Sequence, residues 1–195
     1  MVAITEEKEM NNKEEIEYKI EIATQTLDRN IGFVTNCDNK TSIILALVGV
    51  LITVILTNEG LNEILYIVKN SIESKKICNV LYLICFIGTI LVMAFGILDL
   101  GSVLVAKTSE EAIGRKDASS RIFFMGIRKS GDYKDYNYKF HAMNKEVLLD
   151  ELIEQIYINA DIAFIKYKKY NRGLRCTSVG FVFFLVFLFI GTYIY

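Results

Sequence analysis

The sequence predicts an all-α membrane protein, with three transmembrane helices and long cytoplasmic helical extensions. Three observations predict it. Residues 41–57, 77–98 and 176–195 are apolar blocks without a single charge. The segments before the first block and before the last are charged but periodic at three and four residues. The 195-residue chain, 52% hydrophobic, contains no proline to interrupt either pattern. The blocks are 17, 22 and 20 residues long. At about 1.5 Å of rise per residue each crosses roughly 30 Å of hydrocarbon, the first with its polar flank or a thinned bilayer. Backbone groups in lipid must be paired within their own segment, so the blocks are helices. Their length decides against a soluble bundle with three buried helices.

The elements follow in order. Residues 1–15 read as a charged polar tail, frayed at its start. Ile16, Ile20, Ala23, Leu27, Ile31 and Val34 then recur at helical spacing through a cytoplasmic helix over 16–40. Gly32 costs that helix about 1 kcal/mol against alanine, and no stop signal separates it from the first span, 41–57. Residues 58–76 form a short external amphipathic loop with Leu61, Ile64, Leu65, Val68 and Ile72 on one face, suited to lying flat at the interface. The second span covers 77–98.

Residues 99–175 form a cytoplasmic helical region. It contains a polar stretch, "KTSEEAIGRKDASS", an apolar knot, "RIFFMGI", and the loop "RKSGDYKDYNYKF", whose composition predicts a turn or hairpin around Ser130–Asp132. From His141 to Arg172 the pattern is helical again. Met143, Val147, Leu148, Leu152, Ile156, Ala160, Ala163, Ile165 and Tyr167 form a broad apolar stripe that needs a partner surface. The basic collar "KYKKYNRGLR" leads into the third span, 176–195, suited to anionic lipid.

Charge sets the orientation. Of 22 Lys and Arg, 19 lie in residues 1–40 and 99–175, and only Lys69, Lys75 and Lys76 lie between the first two spans. The positive-inside rule places the N-terminus and the central segment in the cytoplasm, with Tyr193 and Tyr195 in the outer aromatic belt. An acidic, polar N-terminus does not fit a cleavable signal peptide. Cys37, Cys78, Cys85 and Cys176 lie in or beside apolar blocks and read as small apolar residues, not as a disulfide or zinc framework.

Catalytic constellations are missing from the sequence. His141 stands alone, which excludes a His-rich metal site and disfavours a His-based triad; it reads as a surface histidine at a helix start. No glycine-rich phosphate loop occurs. The acidic pairs Glu110–Glu111 and Asp150–Glu151 read as solvated helix faces. The chain is expected not to be an enzyme, to need no cofactor or metal, and to bind no nucleic acid.

Two features remain. Arg121, Arg128, Lys129, Lys134 and Lys139 stand among Tyr133, Tyr136, Tyr138 and Phe140. Guanidinium groups grip phosphate oxygens and aromatic faces stack on bases, so the set suits a small anionic nucleotide. It equally suits a positive-inside loop packed on helices. Asn36, Asp38, Asn39, Lys40 and Asp99 stand at span ends, as interfacial anchors or as functional charges. Ala46, Gly49, Gly88, Gly96, Gly180 and Gly191 let the spans approach closely.

The order of these pieces is informative. Asp38–Asn39–Lys40 heads the span "TSIILALVGV"; a second span and "RIFFMGI" follow. Then comes "LLDELIEQIYINADIAFIKYKKYNRGLR", with Gln155, Ile156, Tyr157, Ala160, Ile162, Lys166 and Tyr167 spaced along a helix entering the last span. From about Asp28 onwards the chain resembles the Pycsar-effector transmembrane family of bacterial antiphage defence. The resemblance implies a membrane effector in the bacterial inner membrane, activated by a cyclic nucleotide that a partner cyclase makes. That ligand is cUMP or cCMP, or another cyclic nucleotide. The effector is expected to form a homo-oligomer that disrupts or permeabilises the bilayer and arrests the infected cell. No separate cyclic-nucleotide-binding barrel is present, so the ligand is expected among cytoplasmic helices or between copies. The expected ligand residues are Arg121, Arg128, Lys129, Tyr133, Lys134 and Tyr136. Asp38, Lys40, Gln155 and Lys166 are expected to couple at the membrane edge. The alternative is a membrane scaffold or adaptor that docks a cytoplasmic partner and senses no nucleotide.

Overall fold

The computed structural model describes residues 2–74, 76–105 and 120–194. Among them the chain is helical and forms no strand. Residues 106–119, with Glu110 and Glu111, lie outside the described residues, as do Lys75 and Tyr195.

Helix α1 runs from Val2 to Ile55 without a break. The segment expected to be a frayed tail is therefore helical from Val2. Charged residues are good helix formers, and Glu15 pairs with Lys19 one turn on at 2.6 Å. Within the apolar part, Thr41 and Thr53 donate their hydroxyls to the carbonyls of Cys37 and Gly49, at 2.7 and 2.9 Å, so neither needs an outside partner. Helix α2 (Asn58–Glu73) starts at Thr57, whose hydroxyl accepts the Gly60 N–H. Its packed face is Ile67 and Ser71, while Leu61, Leu65 and Ile72 are exposed. Part of the face expected on one side thus stays free for the interface, and the residue that anchors α2 is Ile67. Helix α3 (Ile77–Leu104) continues past the apolar block through Asp99.

Two short helices follow, α4 (Phe124–Lys129) and α5 (Tyr133–His141). The turn expected around Ser130–Asp132 is there, and Gly131 takes a φ of 99°, which a side chain rarely adopts. Its flanks are helical, not the strands of a hairpin. The Asp132 carboxylate accepts the Asp135 N–H at 2.9 Å and so starts α5 where a hairpin would have placed a strand. His141 is exposed at the end of α5, not at a helix start. Helix α6 spans Lys145–Ile194.

The chain divides into two compact units, Met1–Asn36 with Ala106–Ile165, and Cys37–Val105 with Lys166–Tyr195. In the first, α1 and α6 run parallel. Glu17 pairs with Lys145, and the Asn30 amide donates to the Ile156 carbonyl at 3.2 Å. Ala23, Leu152, Ile158, Ile162 and Ala163 are buried there. The Glu151 carboxylate accepts the Arg121 N–H at 2.7 Å and the Ser120 hydroxyl at 3.2 Å, fixing the chain that leads into α4.

Among the described residues three helices are long and apolar enough to cross a membrane, and their apolar parts lie in the second unit. Only 6, 17 and 22% of their apolar windows are buried in the protein, so a water-soluble form would leave most of that surface wet. Phe86 packs on Tyr82 and Phe184, at 6.1 and 5.4 Å between ring centroids. The Tyr82 hydroxyl donates to the Phe187 carbonyl at 2.6 Å, satisfying the polar tip of an otherwise apolar contact.

Candidate functional site

Four charges meet at one end of the second unit, where the first apolar block starts, the second ends and the third starts. Asp38 lies on α1, just ahead of the apolar run. Its two carboxylate oxygens accept from the Lys166 ammonium at 2.6 and 2.8 Å. Lys166 is 5% exposed and Asp38 34%. An ammonium that deep is tolerable only beside an anion, because the alternative is an unpaired buried charge. Asp99 on α3 makes the second pair. The Arg172 guanidinium donates to it through both Nε and Nη2, at 2.5 and 2.8 Å, the two-pronged geometry that arginine alone provides. Asp99 is 10% exposed. The same guanidinium lies over the Phe95 ring, 5.4 Å from its centroid.

Lys166 and Arg172 are six residues apart on α6, about 9 Å along its axis. One helix therefore grips the other two at successive levels. Next to the Asp99–Arg172 pair and beyond it the backbones of α3 and α6 touch. Gly96 of α3 faces Gly173 and Thr177 of α6, and Gly180 faces Met93. The Thr177 hydroxyl is buried without a hydrogen-bond partner. Beside it Leu47, Leu51, Met93, Leu174 and Phe181 line an apolar cavity of about 160 Å³. The four charges tie α6 to α1 through one pair and to α3 through the other. Arg172→Lys keeps the charge but not the fork. It is expected to lose about 1 kcal/mol in unfolding measurements in detergent, and an unchanged stability would show that the fork carries nothing.

Of the expected coupling residues, the structure brings Asp38 and Lys166 together. Lys40 is exposed, and Gln155 is buried in the other unit. Of the expected ligand residues, Arg121 and Tyr136 touch, the tyrosine hydroxyl donating to the Arg121 carbonyl at 3.1 Å. The Arg121 guanidinium stands 3.8 Å from Glu151 and leaves one buried nitrogen without a hydrogen bond. Arg128 and Lys129 end α4, and Tyr133 and Lys134 begin α5, all exposed on either side of the Gly131 turn. Asp99 was expected only at a span end and Arg172 only in a basic collar. The sequence signal for their pairing is a carboxylate inside a helix that runs on, apolar, past it.

The comparisons agree with this architecture. The family model described as the Pycsar effector protein domain matches residues 22–191. The chain is 28% identical over 193 residues to the Pycsar effector protein GmPycTM of Gulbenkiania mobilis, covering 91% of this chain and 95% of that one. No solved structure matches. A match that takes in all three apolar helices and the polar helices between them settles the family: the chain belongs to the Pycsar effector family of membrane proteins.

Proposed function

We propose that this Pycsar effector is a cyclic-nucleotide-activated antiphage protein of the bacterial inner membrane, which assembles in several copies and permeabilises the bilayer. The observation that carries the reading is the extent of the family match, residues 22–191, which makes the apolar helices part of the effector domain itself. Three spans per chain are too few to surround an aqueous path, so permeation needs more than one copy. The 19 of 22 Lys and Arg in residues 1–40 and 99–175 support a cytoplasmic placement of both segments.

The activating ligand is a cyclic pyrimidine nucleotide, cUMP or cCMP, or another cyclic nucleotide supplied by a cyclase. Arg121, Arg128, Lys129 and Lys134 serve its phosphate, and Tyr133 or Tyr136 its base. Asp38, Lys40, Gln155 and Lys166 pass the change to the spans. A ligand shifts such an equilibrium only by its differential affinity, and about 5.5 kcal/mol turns 1:99 into 99:1.

The test is dye release from liposomes holding the full chain, with cUMP, cCMP and cyclic oligonucleotides added in turn. Release is expected with one of them and not without it. Correctly inserted protein that leaks with none would overturn the reading in favour of the adaptor. Growth arrest on expression without any cyclase would indicate a constitutive pore.

A further inference from the structure

Both polar helical segments of the first unit carry an apolar stripe left exposed among the described residues. On α1 the stripe contains Ile22 and Phe33, 45 and 47% exposed, with Arg29 exposed between them. On α6 it contains Ile153, Tyr157 and Phe164, 53, 68 and 67% exposed, with the half-buried Asp161 at its edge. The spacings of four, seven and eleven residues keep each stripe on one side of its helix. Neither stripe suits lipid: Glu21, Asp28 and Arg29 interrupt the first stretch, and Asp150, Glu151, Glu154 and Asp161 the second.

We propose that these two faces are halves of one interface, the α1 stripe of one copy packing against the α6 stripe of the next. The inference rests on the reading of the protein as an assembling membrane effector and names the surface that assembles. Copies in one bilayer with one orientation are related by rotation about the membrane normal, which preserves height and the sense in which each helix runs. Within the chain, Glu17 pairs side chain to side chain with Lys145, and the Asn30 side chain leans back to the Ile156 carbonyl, which projects about 2 Å beyond its own Cα, so residues of α1 stand level with those about 128 further on in α6. Across two copies, Ile22 therefore falls within a turn of Ile153, and Phe33 within a turn of both Tyr157 and Phe164. Arg29 falls level with Tyr157 and about one turn from Asp161. Neither Arg29 nor Asp161 has an ion-pair partner among the described residues of its own chain.

The charges choose this pairing over its rival. Two α6 faces meeting about a two-fold axis would bring Asp161 against Asp161, with Glu154 and Asp150 from both chains on the same seam. The α1-to-α6 pairing instead sets Arg29 of one copy near Asp161 of the next at every junction. It is heterologous, so it propagates around a ring, whereas the two-fold contact stops at a dimer. A ring is also the arrangement that can enclose a path among three-span subunits.

The test reverses charges in the full chain and reads assembly by cross-linking in liposomes without nucleotide. Arg29→Glu alone and Asp161→Arg alone each place like charges at every junction and are expected to reduce assembly about tenfold. A chain carrying both reversals restores an opposite pair at every junction and is expected to regain assembly. Both residues lie outside the packed core, and circular dichroism checks that helix content is unchanged. A second measurement uses a chain with its native cysteines replaced and Phe33→Cys and Phe164→Cys introduced together. Oxidation is expected to give a ladder beyond the dimer. Equal assembly of all charge variants, a cross-linked product that stops at the dimer, or recovery that fails in the double reversal would each overturn the interface. Nucleotide-triggered leakage that persists despite such a result would leave the effector reading standing and remove only this surface. A charge-dependent ladder without any leakage would do the reverse.

Discussion

Asp38→Ala is expected to destabilise the protein by about 3 kcal/mol, because it leaves the Lys166 ammonium 5% exposed and without its anion. Lys166→Met should cost less. The carboxylate it strands is 34% exposed and retains access to water or to lipid headgroups. Replacing both by apolar residues of similar size is expected to recover most of the loss, since no charge then remains to be desolvated. Reversible unfolding of the three variants in detergent forms the cycle that isolates the pair. The functional consequence follows from where the pair acts. On the proposed function, the pair belongs to the resting arrangement, because it ties α1 to α6 at the head of the first apolar run. Removing about 3 kcal/mol from that arrangement alone raises the open fraction by up to about a hundredfold. Basal dye release should therefore rise in Asp38→Ala, and the exchanged pair Asp38→Lys with Lys166→Asp should bring it back down. An Asp38→Ala protein with normal stability, normal basal release and a normal response would reduce the cluster to an interfacial anchor.

That outcome also marks what the sequence could and could not carry. Asp38 was legible as a charge at the edge of an apolar block, and Lys166, ten residues ahead of the last block, through the family resemblance alone. Their partnership was not, because they are 128 residues apart and meet only through the packing of α1 on α6. Asp99 and Arg172, 73 residues apart, were hidden for the same reason. The three spans were legible because hydropathy is a sum over a long window and tolerates local error. The continuity of α1 through Asp38 was legible because nothing in the sequence could stop the helix. The segment around Tyr133 was misjudged where local signals compete. A hairpin would place a strand there, but one Asp132 side chain satisfying the Asp135 N–H commits the next residues to helix. The small residues show the limit most clearly. Gly96 and Gly180 lie in helix contacts, while Gly49 and Gly88 meet nothing within 4 Å, and no feature of their neighbours in sequence separates the two kinds.

Gly96→Ala turns that difference into the second large prediction. A Cβ at Gly96 would overlap the backbone nitrogen and the hydroxyl of Thr177 and stand 2.8 Å from the Gly173 carbonyl oxygen. Most of these neighbours are backbone, which cannot rotate away, so α3 and α6 must separate. The expected cost is about 2 kcal/mol net, because overpacking outweighs the gain of up to about 1 kcal/mol that alanine brings to a helix. Gly88→Ala and Gly49→Ala, made as controls, have only the gain and should be neutral or stabilising. The lesion also reaches the charges. Gly96 lies one turn before Asp99, and Gly173 follows Arg172 directly, so a helix pushed aside carries the carboxylate away from the guanidinium fork. Gly96→Ala and Arg172→Ala should therefore be non-additive, the second costing little once the first is present. Strict additivity in unfolding measurements would show that the ion pair holds independently of the close approach, and that the two helices are joined by separate contacts instead of one cooperative seam.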